Sequence, residues 1–267
     1  MPAWLLYTLL SPFFVLASTA AFFFTLTRGT LIMRGAFGTS RQDAAHVYFI
    51  YSNMRLIKLV DFQPIIAAIL LFQYDRLVSS ITDGLRRTNL DGKKVLITSC
   101  AFGNVIPRIV AAAVESGARR VLIADIITNE LMHAQGKLNE FSGKVEFLEE
   151  DASAMKQEDG SVDVNVIFFL LHELPHHLKD KALREAARVL APGGKLYLAE
   201  FHRPDAWLLR ALSWTYFKVF EPLGLALWNS HDPLKQIDAL GGFTCEHHTV
   251  FFGNFQIIVA TKNLTAC

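Results

Sequence analysis

Val95-Leu96-Ile97-Thr98-Ser99-Cys100-Ala101-Phe102-Gly103-Asn104 is an apolar run that stops in a turn of small residues. It reads as a buried strand that delivers a loop to the crevice where an open α/β sheet binds a nucleotide-type ligand. Such loops are usually rich in glycine, and this one keeps only Gly103. The acid common near the end of such a strand is replaced by Ile97. Whether the loop still holds a cofactor is therefore the first question the sequence poses.

Around it, the remaining strands fall into an alternating pattern. Val162 to Phe169 and Leu196 to Ala199 are further apolar runs, as are Val121-Leu122-Ile123-Ala124-Asp125 and Val145-Glu146-Phe147-Leu148. Helical stretches Val105 to Ser116 and Lys181 to Leu190 intervene, the first stopped by Gly117. Strand–helix alternation of this kind predicts a parallel sheet. Gly242-Phe243-Thr244 and Phe255 to Ala260 suggest a closing strand pair. Asp91-Gly92 is a turn signal just before the first strand, so the α/β domain is placed at 91–267.

Upstream, the chain is more lipid-like. It has 267 residues, 52% of them hydrophobic, and a formal net charge of +1, with a mean hydropathy of +0.29. No basic run exists to neutralise phosphates, so nucleic acid is excluded as a partner. Cys100, Cys245 and Cys267 lack metal-binding or CxxC spacing and fit a reducing compartment. Pro2 to Thr27 carries no charge, and Trp4 to Leu26 is long enough to cross a bilayer, although Pro12 permits a kinked or interfacial helix. Arg28, Arg34 and Arg41 follow it. The positive-inside rule then leaves the catalytic domain on the cytoplasmic or mitochondrial matrix side of a membrane. Residues 1–42 are read as the membrane-associating segment. Residues 43–90 are read as a helical cap or substrate entrance, with apolar positions Ala45, Val47, Phe49, Ile50 and Ile65 to Phe72 beside Tyr48, Tyr51, Tyr74 and Asp75.

Chemistry is expected at the C-terminal ends of the strands. Asp125 ends the second strand, where a carboxylate can accept two ribose hydroxyls. Asp151-Ala152 follows the third, where an acid and a backbone N–H can read an adenine edge. Either acid alone is as readily a helix cap or a solvated charge. The loop offers no G-x-G-x-x-G, so a dinucleotide is disfavoured.

The segment Leu183-Arg184-Glu185-Ala186-Ala187-Arg188-Val189-Leu190-Ala191-Pro192-Gly193-Gly194-Lys195-Leu196, with Glu200-Phe201, resembles the signature after strand four of class I S-adenosyl-L-methionine (SAM) methyltransferases. The quinone C-methyltransferases of ubiquinone and menaquinone synthesis are most similar. That resemblance covers roughly Lys93 to Lys262. It implies a Rossmann-like α/β fold with a mostly parallel seven-stranded sheet, here carrying an N-terminal hydrophobic helical extension. It also implies a SAM site built from Thr98, Ser99, Ala101, Gly103, Asp125, Ile126, Asp151, Ala152 and Phe169. In that family the loop reads acid-x-Gly-x-Gly-x-Gly; the matching positions here are Ile97, Ser99, Ala101 and Gly103. The altered loop, the segment Phe168-Phe169-Leu170-Leu171-His172-Glu173-Leu174-Pro175 and the apolar N-terminus resemble the rhodoquinone-forming members of the superfamily. What that resemblance implies is conversion of ubiquinone to rhodoquinone by exchange of a ring methoxy group for an amino group, with SAM as amino donor and Mn2+ assisting.

His172, Glu173, His176 and His177 spell H-E-x-x-H plus one. A zinc protease needs both histidines on one continuous helix, and Pro175 interrupts the motif. His172 and Glu173 are instead the candidate catalytic residues, with His172, Glu173 and His176 the candidate metal ligands, because manganese accepts imidazole and carboxylate. His176 and His177 serve equally well as solvated residues at the start of a helix. Glu200 and His202 are placed near the pocket; His231-Asp232 and His247-His248 are placed farther off. Ring packing is expected from among Phe102, Phe168, Phe169, Trp214, Tyr216 and Phe217, and a lid from Trp207 to Trp228. An ordinary quinone or lipid methyltransferase and a non-catalytic membrane subunit are the competing functions.

Overall fold

Strand β1 (Lys94–Thr98) is central in the computed structural model, which describes residues 3–25, 29 and 49–264. It pairs in parallel with β2 (Arg120–Asp125) on one side and β4 (Val162–Phe168) on the other. Val95 and Ile97 face the main core, while Leu96 faces a smaller cluster with Met155 and Val189. Burial on both faces explains the unbroken apolar run. The complete order is β3-β2-β1-β4-β5-β7-β6, seven strands, with β3 (Val145–Glu149), β5 (Leu190–Phe201), β6 (Phe243–Val250) and β7 (Phe255–Lys262) completing it. β7 runs antiparallel between β5 and β6.

The Pro192-Gly193-Gly194 turn lies inside β5 and does not precede it. Pairing with β4 passes from Val162–Leu190 directly to Val164–Lys195, so Ala191 to Gly194 bulge out. A Cβ on Gly194 would sit 2.8 Å from the Ala191 carbonyl oxygen and 2.9 Å from that of Asp163, which is why glycine stands there.

Helices cover the sheet. α1 (Ala3–Phe24) is apolar and contains Pro12; Phe13, Phe14 and Val15 are exposed on it. The apolar stretch described within it, Leu10–Phe22, is shorter than the about 20 residues of a span, and among the described residues no single helix is long and apolar enough to cross a bilayer. Arg28, Arg34, Arg41, Ala45, Val47, Tyr48 and Cys267 lie outside the described residues. A 3-10 turn at Phe49–Ser52 leads to α2 (Met54–Val60), α3 (Gln63–Ile69) and α4 (Tyr74–Arg87).

α4 is part of the sheet's own core. Tyr74, Leu77, Val78, Ile81 and Leu85 recur at helical spacing and are buried. Gly84 lets α4 approach β5 closely, since a Cβ there would lie 2.5 Å from the Tyr197 ring. The α/β unit thus begins before Asp91, and the separate cap ends near Leu70. α5 (Val105–Glu115), α6 (Thr128–Lys137), α7 (His176–Val189), α8 (Trp207–Val219) and α9 (Pro233–Leu240) complete the fold, with a 3-10 segment at Pro222–Trp228.

Candidate active site

The tips of β1 and β4, adjacent in the sheet, both carry a non-glycine residue in left-handed backbone. Ser99 has φ 80° and Phe169 has φ 54°. Each costs of order 1–3 kcal/mol and persists only where its surroundings hold it. The holding contacts are visible: the Ser99 N–H donates to the Ala124 carbonyl at 2.7 Å, and the Phe169 N–H to that of Ala199 at 2.9 Å. Both residues line a cavity of about 600 Å3, a volume suited to a small-molecule ligand.

Of the residues proposed from sequence, Ser99, Ala101, Phe169, His172 and Glu173 line this cavity. Thr98, Gly103, Asp125, Ile126, Asp151 and Ala152 do not. Thr98 is buried and donates its hydroxyl to Asn165 Oδ1 at 2.8 Å, inside the sheet. Asp125 is buried at the tip of β2 and braces the loop. Its Oδ2 accepts from the Cys100 N–H at 2.6 Å and its Oδ1 from the Ile127 N–H at 2.8 Å. Burial pushes its pKa up against those bonds. Ile126 is half exposed beside it. Asp151 caps its own turn through the Ser153 N–H at 2.7 Å.

Gly103 is retained for closeness rather than for ligand approach. A Cβ there would fall 2.4 Å from Tyr74 Oη and 2.9 Å from Gln63 Oε1, and its φ is +84°. Its N–H donates to Asp61, which also meets Lys137 and, at 2.6 Å, His133. Lys137 Nζ donates to the Gly103 carbonyl at 2.8 Å. The cap and α6 therefore grip the loop from both sides.

A second grip closes over β4. The Tyr51 hydroxyl donates to Glu173, 2.9 Å from Oε1 and 3.1 Å from Oε2, and its ring stacks on Phe102 at 6.0 Å. Asn129 Nδ2 donates to the Tyr51 carbonyl at 2.9 Å. Burial, followed by the Glu173 charge, pushes the Tyr51 pKa well up. Burial and Asp125 do the same for the Cys100 thiol, which therefore stays protonated and is no nucleophile.

His172 and Glu200 form the polar floor. Glu200 is fully buried and accepts from the His172 N–H at 3.2 Å, from the Phe201 N–H at 2.7 Å and from His172 Nδ1 at 3.1 Å. Burial alone lowers an imidazole pKa. The Glu200 charge and hydrogen bond, with Glu173 and Glu221 beyond, outweigh it and raise His172 to about 9. At neutral pH it is an imidazolium whose Nε2, 3.9 Å from Glu173, is left for a ligand. That suits a hydrogen-bond donor or acid better than a base.

The manganese assignment does not fit. His176 is not beside His172 and Glu173: its ring stacks on His231 at 5.0 Å, in a polar group with Asp180 and Gln236. Among the described residues no three His, Cys, Asp or Glu side chains gather as metal ligands. His202, expected near the pocket, bonds the Gly253 carbonyl at 2.7 Å and packs on His247.

The apolar walls follow expectation in part. Phe102, Phe168, Phe169, Tyr216 and Phe217 line the cavity; Trp214 does not, and Phe201 and Phe220 join it. Phe168–Phe169, Phe169–Phe201 and Phe201–Phe217 meet edge-on at 4.9–5.0 Å, a favourable aromatic geometry. α8 supplies one wall through Leu209, Leu212, Ser213, Tyr216 and Phe217.

Two residues were missed. Lys179, fully buried, donates to the carbonyls of Leu171 and Leu174 and fixes the loop that carries His172 and Glu173. In sequence it looks like any helix-surface lysine. Glu130 on α6 is only 3% exposed, and its Oε1 is sealed from solvent with no hydrogen-bond partner among the described residues. Burial, then the charges of Asp125 and Glu173, raise its pKa to about 9. Of the acids near the strand tips, Glu173 lines the cavity with Ser99 and Ala101, a donor set that fits the cationic, amino-acid end of SAM.

Fold and site together define a Rossmann-like α/β protein of the SAM methyltransferase type with a seven-stranded sheet. The ubiE/COQ5 methyltransferase family model matches residues 62–237, more than half of the chain, and the chain belongs to that family. It is 32% identical over 149 residues to the ubiquinone/menaquinone biosynthesis C-methyltransferase UbiE of Ectopseudomonas mendocina, covering 55% of this chain and 57% of that protein. The UbiE of Cronobacter sakazakii is 34% identical over 145 residues, covering 54% and 49%. The chain thus spans about half the length of these curated relatives. Among solved structures, a SAM-dependent methyltransferase of Aquifex aeolicus matches with a TM-score of 0.51 at 19% identity, covering 79% of this chain and 98% of that one. The [4+2]-cyclase SpnF matches with a TM-score of 0.54 at 19% identity, covering 70% and 81%.

Proposed function

We propose that the protein is a membrane-associated, SAM-using enzyme that modifies the ring of a lipid quinone, and that the group it transfers is SAM's amino group, exchanged for a ring methoxy group of ubiquinone. The observation that carries the amino reading is the rewritten β1 loop. Ile97 is fully buried in the core and supplies no acid, Ser99 sits in left-handed backbone, and the Gly103 N–H is taken by Asp61. The methionine end of SAM then meets different partners from those the family's acid-and-glycine loop gives it. Its nitrogen, rather than its methyl carbon, is presented to the ring. The resemblance to the rhodoquinone-biosynthesis protein RquA supports the same reading.

When bound, SAM supplies the group that is transferred. The chain's own part is to orient and polarise. The edge-on phenylalanines give the quinone ring a flat apolar seat. His172 donates from Nε2 to a quinone carbonyl oxygen, drawing electron density from the neighbouring ring carbon and easing attack there. Glu200 holds His172 in its charged form, and Tyr51 with the cap excludes water.

A second reading, ordinary C-methylation of a quinone, is favoured by a specific observation: the family model and the UbiE relatives are methyltransferases. Incubating the purified protein with SAM and a short-tailed ubiquinone, with and without manganese, separates the two by product mass. Methoxy-to-amine exchange lowers the mass and methylation raises it. If Ile97→Asp with Ser99→Gly and Ala101→Gly leaves amine transfer unimpaired, the loop is not its determinant.

Membrane association is supported by large apolar side chains that are exposed to solvent. Phe72 is 78% exposed, Trp207 77%, and Phe13 and Phe14 on α1 about 70% and 67%. Patches of this kind mark lipid or partner surfaces. Under the same proposal, the positive-inside rule applied to Arg28, Arg34 and Arg41 of the sequence favours a cytoplasmic or matrix side for the catalytic domain.

A further inference from the structure

We propose that Asn254 is a recognition residue for the ring substrate, its side-chain N–H donating to an oxygen on the ring as a second polar contact beside that of His172. The inference deepens the proposed function and rests on its ring-substrate reading, whichever group is transferred. It concerns the wall of the cavity where α8 meets the turn between β6 and β7.

Asn254 is 3% exposed and lines the cavity. Ser213 of α8, also in the lining, donates its hydroxyl to Asn254 Oδ1 at 2.6 Å. That bond fixes the amide and leaves the two N–H donors of Nδ2 over. Nδ2 has no hydrogen-bond partner among the described residues, and it is not sealed from solvent as the Nδ2 of Asn165 is. The donor end is therefore open to the cavity.

A free donor on so buried a side chain requires a reason, and the turn supplies none. Asparagine favours turns because its side chain bonds nearby backbone. Here backbone alone closes the turn, the Asn254 N–H donating to the Phe251 carbonyl at 3.0 Å and the Asn254 carbonyl accepting from the His202 N–H at 2.9 Å. The walls around it are largely aromatic, so only a ligand oxygen can satisfy the amide. The Tyr216 hydroxyl, one turn from Ser213 on α8, likewise has no partner among the described residues and widens the polar spot. Phe201 links this spot to His172: its ring meets the imidazole edge-on at 5.0 Å, and the next residue, His202, holds the Asn254 carbonyl. A quinone carries acceptor oxygens on more than one edge and can meet both donors. A bare hydrocarbon ring gives Asn254 nothing.

The test is calorimetric titration of the full chain in detergent with three ligands of one tail length: a ubiquinone, its analogue with methyl groups in place of both methoxy groups, and the same tail on benzene. Asn254→Leu keeps the side chain's size and removes the donor; Ser213→Ala leaves the amide in place without its anchor. Asn254→Leu is expected to weaken ubiquinone binding about threefold to tenfold, as one net hydrogen bond implies, with SAM and the benzene ligand unchanged. Ser213→Ala is expected to weaken it less, in the same direction. An equal loss for the methyl analogue assigns the contact to a ring carbonyl, and a loss confined to ubiquinone assigns it to a methoxy oxygen; both support the proposal. If Asn254→Leu also loses SAM, the chain has misfolded and Ser213→Ala decides alone. Undiminished ubiquinone affinity, or a loss equally large for the benzene ligand, overturns the proposal and leaves the ring-substrate reading intact. A wild-type chain that binds the benzene ligand as tightly as ubiquinone overturns that reading and the proposal with it.

Discussion

Single side chains at this site are set by close approach and by buried charge, and both make measurable demands. Gly103 has no room for a methyl group beside Tyr74 and holds a positive φ. Gly103→Ala is expected to destabilise the fold by about 1–3 kcal/mol. Adding Tyr74→Phe, which removes the nearest atom, is expected to recover part of that loss in urea unfolding; strictly additive effects would contradict the contact. The charges predict a pH dependence. His172 and Glu130 both have folded-state pKa values near 9, above their ordinary 6.5 and 4.5. Both therefore bind protons more tightly when folded. Stability from His172 is full below pH 6.5 and is lost as pH rises through about 9, while the Glu130 cost grows from pH 4.5 to about 9, so unfolding free energy falls from pH 4.5 upward and more steeply between 6.5 and 9. Glu130→Gln and Glu200→Gln are each expected to flatten that fall in urea midpoints measured across the range.

At the scale of elements, the loop after β1 is held by its neighbours and has little rigidity of its own. Asp61 joins the end of α2 to the Gly103 N–H and to His133 and Lys137 of α6. Removing it takes the shared carboxylate from His133 and from part-buried Lys137, which keeps only the Gly103 carbonyl. Asp61→Ala is expected to raise amide hydrogen exchange through residues 99–104 well above that of β1; unchanged protection would show that the loop stands without the cap. Lys179→Met strips two buried carbonyls of their donor and is expected to cost about 2–4 kcal/mol, read by thermal or urea unfolding. The parallel strands were legible in the sequence because each is an apolar run closed by turn residues. The ties were not, since Asp61–Gly103, Tyr51–Glu173 and Lys179–Leu171 join residues whose partners only the folded chain reveals. α6 was also missed: its face mixes Glu130, His133 and Lys137 with Leu131 and Ala134, and so lacks a clean apolar stripe.

For the whole molecule, the sheet is that of a SAM methyltransferase, and the cap and the aromatic cavity are the features on which the proposed lipid-borne ring substrate rests. Much of the site was readable in the sequence: Ser99, Ala101, Phe169, His172 and Glu173 do converge on one cavity. The metal trio did not survive folding, because Pro175 turns the chain and sends His176 to His231. Replacing Trp207 and Leu208, exposed on α8 and outside the cavity lining, by aspartate is expected to reduce co-flotation with liposomes while leaving SAM binding intact; undiminished flotation would move the membrane contact elsewhere. The group transferred is tested most directly with SAM that carries heavy nitrogen in its amino group and deuterium in its methyl group, given to the purified protein with ubiquinone. Amino transfer predicts a product that holds the heavy nitrogen, lacks the deuterium and has lost one methoxy group. A product that holds the deuterium and keeps both methoxy groups would contradict it.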